Sequence, residues 1–152
     1  MENIKKCKTE IRKMNMEDLE SISDILTSDF DNFWSYDVLE EELECDNSYV
    51  IVAKADENTI VGFAGLKVIL DEADIMNIVT KKCYRNQGIG TLLLKNLISI
   101  SKNLNLHSLS LEVNEENKTA IHLYENLGFK NIGIRKNYYK SKNGKIMALN
   151  LS

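Results

Sequence analysis

Proline is absent from this 152-residue sequence, and no repeat or low-complexity linker is visible. One domain spanning 1–152 is the expectation, long enough to bury a sizeable core. Histidine is nearly absent as well. His107 and His122 are the only two, which argues against a multi-histidine site, and no metal is expected. The three cysteines, Cys7, Cys45 and Cys83, stand far apart and form no C-x-x-C, so neither a zinc knuckle nor a redox pair is indicated. No apolar run approaches the roughly 18 residues that a membrane span needs. The opening stretch, MENIKKCKTEIRKM, has no apolar core, so no secretory leader is expected and a cytosolic location is. What remains is ordinary for a soluble fold: 43% hydrophobic and 28% charged residues.

Charge of one sign is missing over long stretches. From Glu17 to Asp46 there are twelve acids and no Lys or Arg. From Asn126 to Ser152 there is no acid, but Lys130, Arg135, Lys136, Lys140, Lys142 and Lys145 are present. Solvated helix faces account for the acids. The alternative is an acidic rim for a cationic partner and a basic flank for an anionic one. The net charge of −4 and the lack of a recognised module count against nucleic-acid binding.

Lys8 to Met14 reads as an opening strand, and Asn15 caps a helix carrying Leu19, Ile22 and Leu26 on one face. A second helix starts after Ser35. SYVIVAKA and TIVGFAGLKVIL are strands joined by the turn DEN, and a second turn, DEAD, leads to IMNIVT. Ile89, Leu93, Leu97, Ile100 and Leu104 form the apolar face of a helix. SLSLEV is a strand with Leu109, Leu111 and Val113 on one side, Ser110 and Glu112 on the other. Thr119 to Leu127 is a helix stopped by Gly128. Two tail strands follow, with Asn143-Gly144 as a type I′ hairpin signal. The order is β-α-α-β-β-β-α-β-α-β-β. The strand–helix–strand unit demands a parallel pair, so the class is α/β (α+β in some schemes), a mixed sheet with helices on both faces.

YRNQGIG, Tyr84 to Gly90, opens the third helix. A nucleotide P-loop would need G-K-[ST], and Gly90 is followed by Thr91 and Leu92. A dinucleotide loop would need a third glycine where Leu93 stands. Two readings survive. Either the glycines serve a strand-to-helix turn, or backbone N–H groups at the helix start cradle an anion such as a pyrophosphate, with Arg85 adding charge.

Arg85, Gly88 and Gly90 spell R-x-x-G-x-G. About twenty residues on come LEV and then Asn117, Ala120, Tyr124, Gly128 and Phe129. This set resembles the GNAT family of acetyl-coenzyme A-dependent N-acetyltransferases. Within it, FWSYDVLEEEL, VGFAGLKVILDEADIMNIVT, LEVNEENKTAIHLYENLGF and IRKNYY…IMAL are similar to the bacterial ribosomal-protein-alanine N-acetyltransferases, the RimI type, over nearly the whole chain. The resemblance implies the GNAT acyltransferase fold, a mostly antiparallel sheet of six to seven strands. It implies acetyl-CoA as co-substrate and the N-terminal segment of a small-subunit ribosomal protein as partner. It assigns Glu112 as general base and Tyr124 as general acid. It gives Ile78, Val79 and Thr80 to the thioester and pantetheine arm. Arg85, Asn86, Gln87, Gly88, Ile89, Gly90 and Thr91 fall to the pyrophosphate, and Asn117 to a further coenzyme contact. Three departures stand out: Asn114 replaces the arginine of LEVR, Lys82 stands where proline is common, and the tail lacks an EDA-like stretch before IMAL.

The chemistry suits that substrate. A peptide α-amine, with pKa about 7.7–8.0, is roughly one-quarter neutral near pH 7.4, against about 0.1% for a lysine. Each residue also has a simpler explanation. Glu112 fits a strand carboxylate paired with a lysine, and Tyr124, on a face with Ala120 and Leu127, fits the core. Cys83 reads as a buried or inert cysteine rather than an acyl-carrying nucleophile. His107 and His122 read as surface residues. Trp34, Tyr138 and Tyr139 fit either a peptide groove or core packing. The alternatives for the whole chain are acetylation of a small polyamine, an antibiotic amine or a lysine side chain, or a non-catalytic acetyl-CoA-binding module. A monomer or weak homodimer is expected.

Overall fold

Asn15 begins the first helix by a reciprocal cap. Its side chain accepts from the Asp18 backbone N–H at 2.8 Å, and the Asp18 carboxylate accepts from the Asn15 N–H at 2.9 Å. Helix α1 (Met16–Ile22) buries Leu19 and Ile22 and passes into a 3₁₀ turn at Ser23–Ile25. Ser35 caps α2 (Tyr36–Glu44), its hydroxyl accepting from the Val38 N–H at 3.3 Å. The computed structural model describes residues 9–26, 28–30, 35–139 and 142–152. Cys7 and Trp34 lie outside them, as do the side chains of Tyr138 and Tyr139.

The strands are β1 (Glu10–Lys13), β2 (Ser48–Asp56), β3 (Thr59–Ile69), β4 (Glu72–Thr80), β5 (Ser108–Asn114), β6 (Lys130–Tyr139) and β7 (Lys142–Asn150). Helices α3 (Ile89–Asn103) and α4 (Lys118–Asn126) complete the expected order. The seven strands are hydrogen-bonded in the order β1-β2-β3-β4-β5-β7-β6. The β4–β5 pair is parallel, as the crossover through α3 requires, and the other recorded pairs are antiparallel.

The chain divides into two compact units. The first, Met1–Lys67 with Met76–Leu97, holds a core of Leu19, Ile22, Phe30, Leu39, Val52, Phe63 and Val79. Phe30 and Phe63 meet with ring centroids 5.4 Å apart. β3 is buried continuously from Ile60 to Leu66, the mark of a strand covered on both faces. The second unit, Val68–Ile75 with Ile98–Ser152, buries Ala73, Leu109, Leu111, Val113, Ile121, Phe129 and Met147. Its β5 alternates as expected, with Leu109, Leu111 and Val113 buried and Ser110 and Glu112 half-buried on the opposite face.

Three local expectations need correction. The turn before β4 falls at Leu70–Asp71, where Leu70 takes φ 58. Glu72–Asp74 are already strand, drawn into the parallel ladder with Ser108–Ser110. Asn143-Gly144 is not a hairpin turn. A type I′ turn requires positive φ at both residues, and neither has it. Both belong to β7, where Asn143 exchanges hydrogen bonds with Glu115 and Gly144 pairs with Asn114. Finally, the apolar face of α3 stops short of Leu104. The helix ends at Asn103, Asn105 turns the chain at φ 60, and Leu106 is buried instead.

Candidate active site

The end of β4 and the loop behind it lie in the first unit. Val79 is buried in the core, while Ile78 and Thr80 on either side of it are half-buried. The recorded ladder between β4 and β5 covers only Glu72–Asp74, so the backbone of Ile78–Thr80 is not committed to it. Lys81 closes the strand: its N–H donates to the Val61 carbonyl at 2.8 Å, and the Lys82 N–H donates to the Asp29 carbonyl at 2.7 Å. A 3₁₀ turn at Lys82–Tyr84 follows. It carries Cys83, which is exposed rather than buried, correcting that part of the expectation.

Arg85, Asn86, Gln87 and Gly88 are all exposed. Asn86 at φ 63 and Gly88 at φ 86 reverse the chain into α3, and the first helical bond from the loop runs from the Leu92 N–H to the Gly88 carbonyl at 3.0 Å. Helix geometry leaves the N–H groups of Ile89, Gly90 and Thr91 without intrahelical acceptors. A side chain at Gly88 would meet no atom within 4 Å, and one at Gly90 would meet only Thr80 Oγ1 at 3.8 Å. The loop is therefore an open rim of backbone donors at a helix start, the arrangement that binds phosphates. What brings α3 so close to the sheet is a residue that sequence reasoning missed. A Cβ on Gly62 of β3 would lie 2.8 Å from the Val79 carbonyl oxygen and 3.0 Å from Ile89 Cγ2. Only glycine allows β4 and the first turn of α3 to approach there.

The second unit carries the titratable candidates. Glu112 projects from β5 beside Ser110, whose hydroxyl donates to Asp74 Oδ1 at 2.5 Å. The lysine partner foreseen for Glu112 is an arginine. Arg135 Nε lies 3.0 Å from Glu112 Oε2. That oxygen is buried and accepts no hydrogen bond. The two facts are compatible: the charges touch, but no N–H is aligned on the oxygen.

The β5–α4 turn is built from side chains. Asn114 Oδ1 accepts from the Glu116 N–H at 2.9 Å, and Asn117 Oδ1 caps α4 by accepting from the Ala120 N–H at 3.2 Å. Asn117 thus has a structural role whatever it binds. Lys142 Nζ pairs with Glu116 at 2.9 Å, tying the turn to the start of β7. On α4, Tyr124 is half-buried and packs at a tilt against Phe129, centroids 5.9 Å apart at 57°. The helix ends at Asn126, with Gly128 at φ 102 just beyond. Among the described residues no group of three or more His, Cys, Asp or Glu is placed to hold a metal ion, and no helix is long and apolar enough to cross a membrane.

A model of the acetyltransferase (GNAT) family matches residues 19–129, which take in both the glycine loop and the Glu112–Tyr124 segment. The chain belongs to the GNAT family. A Haemophilus influenzae relative named [ribosomal protein bS18]-alanine N-acetyltransferase is 39% identical over 111 residues, 73% of this chain and 74% of the other. A Bacillus subtilis relative, provisionally given the same name, is 35% identical over 135 residues, 88% of this chain and 89% of the other. The crystal structure of the ribosomal-protein-S18-alanine N-acetyltransferase from Escherichia coli superposes with a TM-score of 0.84 at 30% identity, covering 95% of this chain and 94% of that one. The fold expected of a GNAT acyltransferase is thereby borne out, as is the membership of an N-acetyltransferase family.

Proposed function

We propose that this protein transfers the acetyl group of acetyl-CoA to the N-terminal α-amine of an alanine-starting ribosomal protein, bS18 or its equivalent, in the cytoplasm. The observation that carries the reading is the similarity to enzymes named for that reaction, which extends over nearly nine-tenths of both chains in one case. The glycine loop, Glu112 and Tyr124 all fall inside the matched stretch. One domain, 1–152, acting as a monomer or weak homodimer, fits this reading.

Acetyl-CoA supplies an acyl group on a thiol whose pKa, about 8.5, makes it a fair leaving group. The rest is the work of this chain. The N–H groups of Gly88 to Thr91, with Arg85, receive the pyrophosphate, assisted by the helix dipole. A backbone N–H of Ile78–Thr80 donates to the thioester oxygen as negative charge grows there. Glu112 takes a proton from the α-ammonium, which frees the lone pair for the new C–N bond. Tyr124 gives its proton to the departing sulfur as the C–S bond breaks. From α-ammonium to amide the nitrogen loses two protons, one to Glu112 and one as the tetrahedral adduct collapses; the sulfur gains one, so each turnover releases one proton to solvent. Asn117, besides capping α4, would add a coenzyme contact.

Release of free thiol from acetyl-CoA tests the reading against its rival. The expected result is steady turnover with a peptide beginning Ala-Arg and none with a polyamine of similar charge. Turnover with the polyamine alone would move the substrate to small amines, and no turnover with either, despite coenzyme binding, would leave a binding module.

A further inference from the structure

β5 and β6 are not neighbours, since β7 lies between them. Their registers nevertheless align one row of residues. Asn114 stands opposite Gly144, and Gly144 opposite Arg135. Glu112 stands opposite Ile146, and Ile146 opposite Gly133. Directly opposed residues in an antiparallel sheet share a face, so Glu112, Gly144, Gly133 and Arg135 all belong to the same side. Gly144, directly opposite Arg135, raises no side chain, whereas Ile146 on the same face packs over Gly133. The guanidinium of Arg135 is therefore able to cross β7 diagonally, and it reaches Glu112 Oε2 at 3.0 Å.

This pair is not explained by stability. Arg135 is 56% exposed, and exposed ion pairs contribute little to folding. Nor is it aligned as a strong hydrogen bond, because Glu112 Oε2 remains without a donor. A carboxylate oxygen held by a guanidinium 3.0 Å away is fixed in place from that side. We propose that Arg135 is a positioning residue for Glu112. It fixes the carboxylate from the Oε2 side and presents Oε1 to the incoming amine. The inference rests on the reading of Glu112 as general base.

The test is a double-mutant cycle read by steady-state kinetics with acetyl-CoA and an alanine-starting peptide. Arg135→Gln should lower kcat at least about tenfold, as misplacement of a reacting group does, while the KM for acetyl-CoA stays unchanged. Arg135→Lys, which keeps a cation on a more flexible stem, should recover part of the loss. In the Glu112→Gln background, Arg135→Gln should cost nothing further, since there is no longer a carboxylate to aim. Additive losses, or a wild-type kcat in Arg135→Gln, would overturn the proposal. If Glu112→Gln itself keeps the wild-type kcat, the base assignment falls and the positioning role falls with it. If Glu112→Gln is slow and Arg135→Gln is not, only the positioning role fails. Should the neutral variant not fold, Arg135→Lys carries the test alone: lowered kcat at constant KM supports positioning, and unchanged kcat contradicts it.

Discussion

At the scale of single residues, the glycine loop separates two kinds of requirement. Gly88 has open space around its α-carbon but φ 86, whereas Gly90 has an ordinary φ and a 3.8 Å neighbour. Gly88→Ala is expected to weaken acetyl-CoA binding at least about tenfold, because the backbone must leave the left-handed region that aims the loop. Gly90→Ala is expected to bind nearly normally. Calorimetric titration of both variants checks this, and equal affinities would show that loop conformation does not matter. Glu112→Gln should lower kcat about a hundredfold, the usual scale of general-base removal, without altering coenzyme affinity. How much of this was legible varied by residue. Alternation along SLSLEV was enough to place Glu112 on the side opposite Leu111 and Val113, and the loop glycines were visible as a motif. Arg135 was not legible as the partner, because it reaches Glu112 across an intervening strand whose register no local pattern reveals. Gly62 was missed for a similar reason: what excludes a Cβ there is the carbonyl of Val79, on another strand.

At the scale of elements, the start of α1 shows how a short helix is held. Burial by itself would raise the Asp18 carboxyl. The Arg12 guanidinium, at 2.7 and 2.8 Å, and the Asn15 N–H more than offset this and hold it below its ordinary value of 3.8. A carboxyl depressed in the folded state stabilises the fold above its unfolded pKa, and that contribution disappears as pH falls through the lower folded value. Asp18→Ala should therefore cost about 1–2 kcal/mol at neutral pH, and the gap from wild type should narrow in acid below pH 3.8. Denaturant melts at the two pH values would show it, and a gap independent of pH would contradict the ion-pair explanation. Gly62→Ala tests the seat of α3. A methyl 2.8 Å from a backbone carbonyl should cost about 1–3 kcal/mol and weaken coenzyme binding in the variant that remains folded. The element order was readable because each segment had its own period, with Asn15 and Ser35 standing at two helix starts; the cap that Asn117 gives α4 was not read from the sequence. The two-residue hairpin signal at Asn143-Gly144 failed because turn propensity is local, and the ladder to β5 and the tie to Glu115 outweighed it.

At the scale of the whole molecule, the family match runs through both compact units; the glycine loop lies in the first, Glu112 and Tyr124 in the second. The choice of substrate follows from proton availability. An α-amine is already about one-quarter neutral near pH 7.4, whereas a lysine would require the base to supply roughly two and a half more orders of magnitude. The excess of acids over Glu17–Asp46 would favour a basic substrate of either kind and does not distinguish them. The decisive measurement uses two peptides with acetyl-CoA, one beginning with a free alanine followed by a basic residue, the other identical but blocked at its N-terminus and bearing an internal lysine. Mass spectrometry counts the acetyl groups added. A single acetyl on the first peptide and none on the second is the expected result. Acetylation of the blocked peptide, or of neither while coenzyme still binds, would contradict N-terminal alanine acetylation as the reaction of this protein.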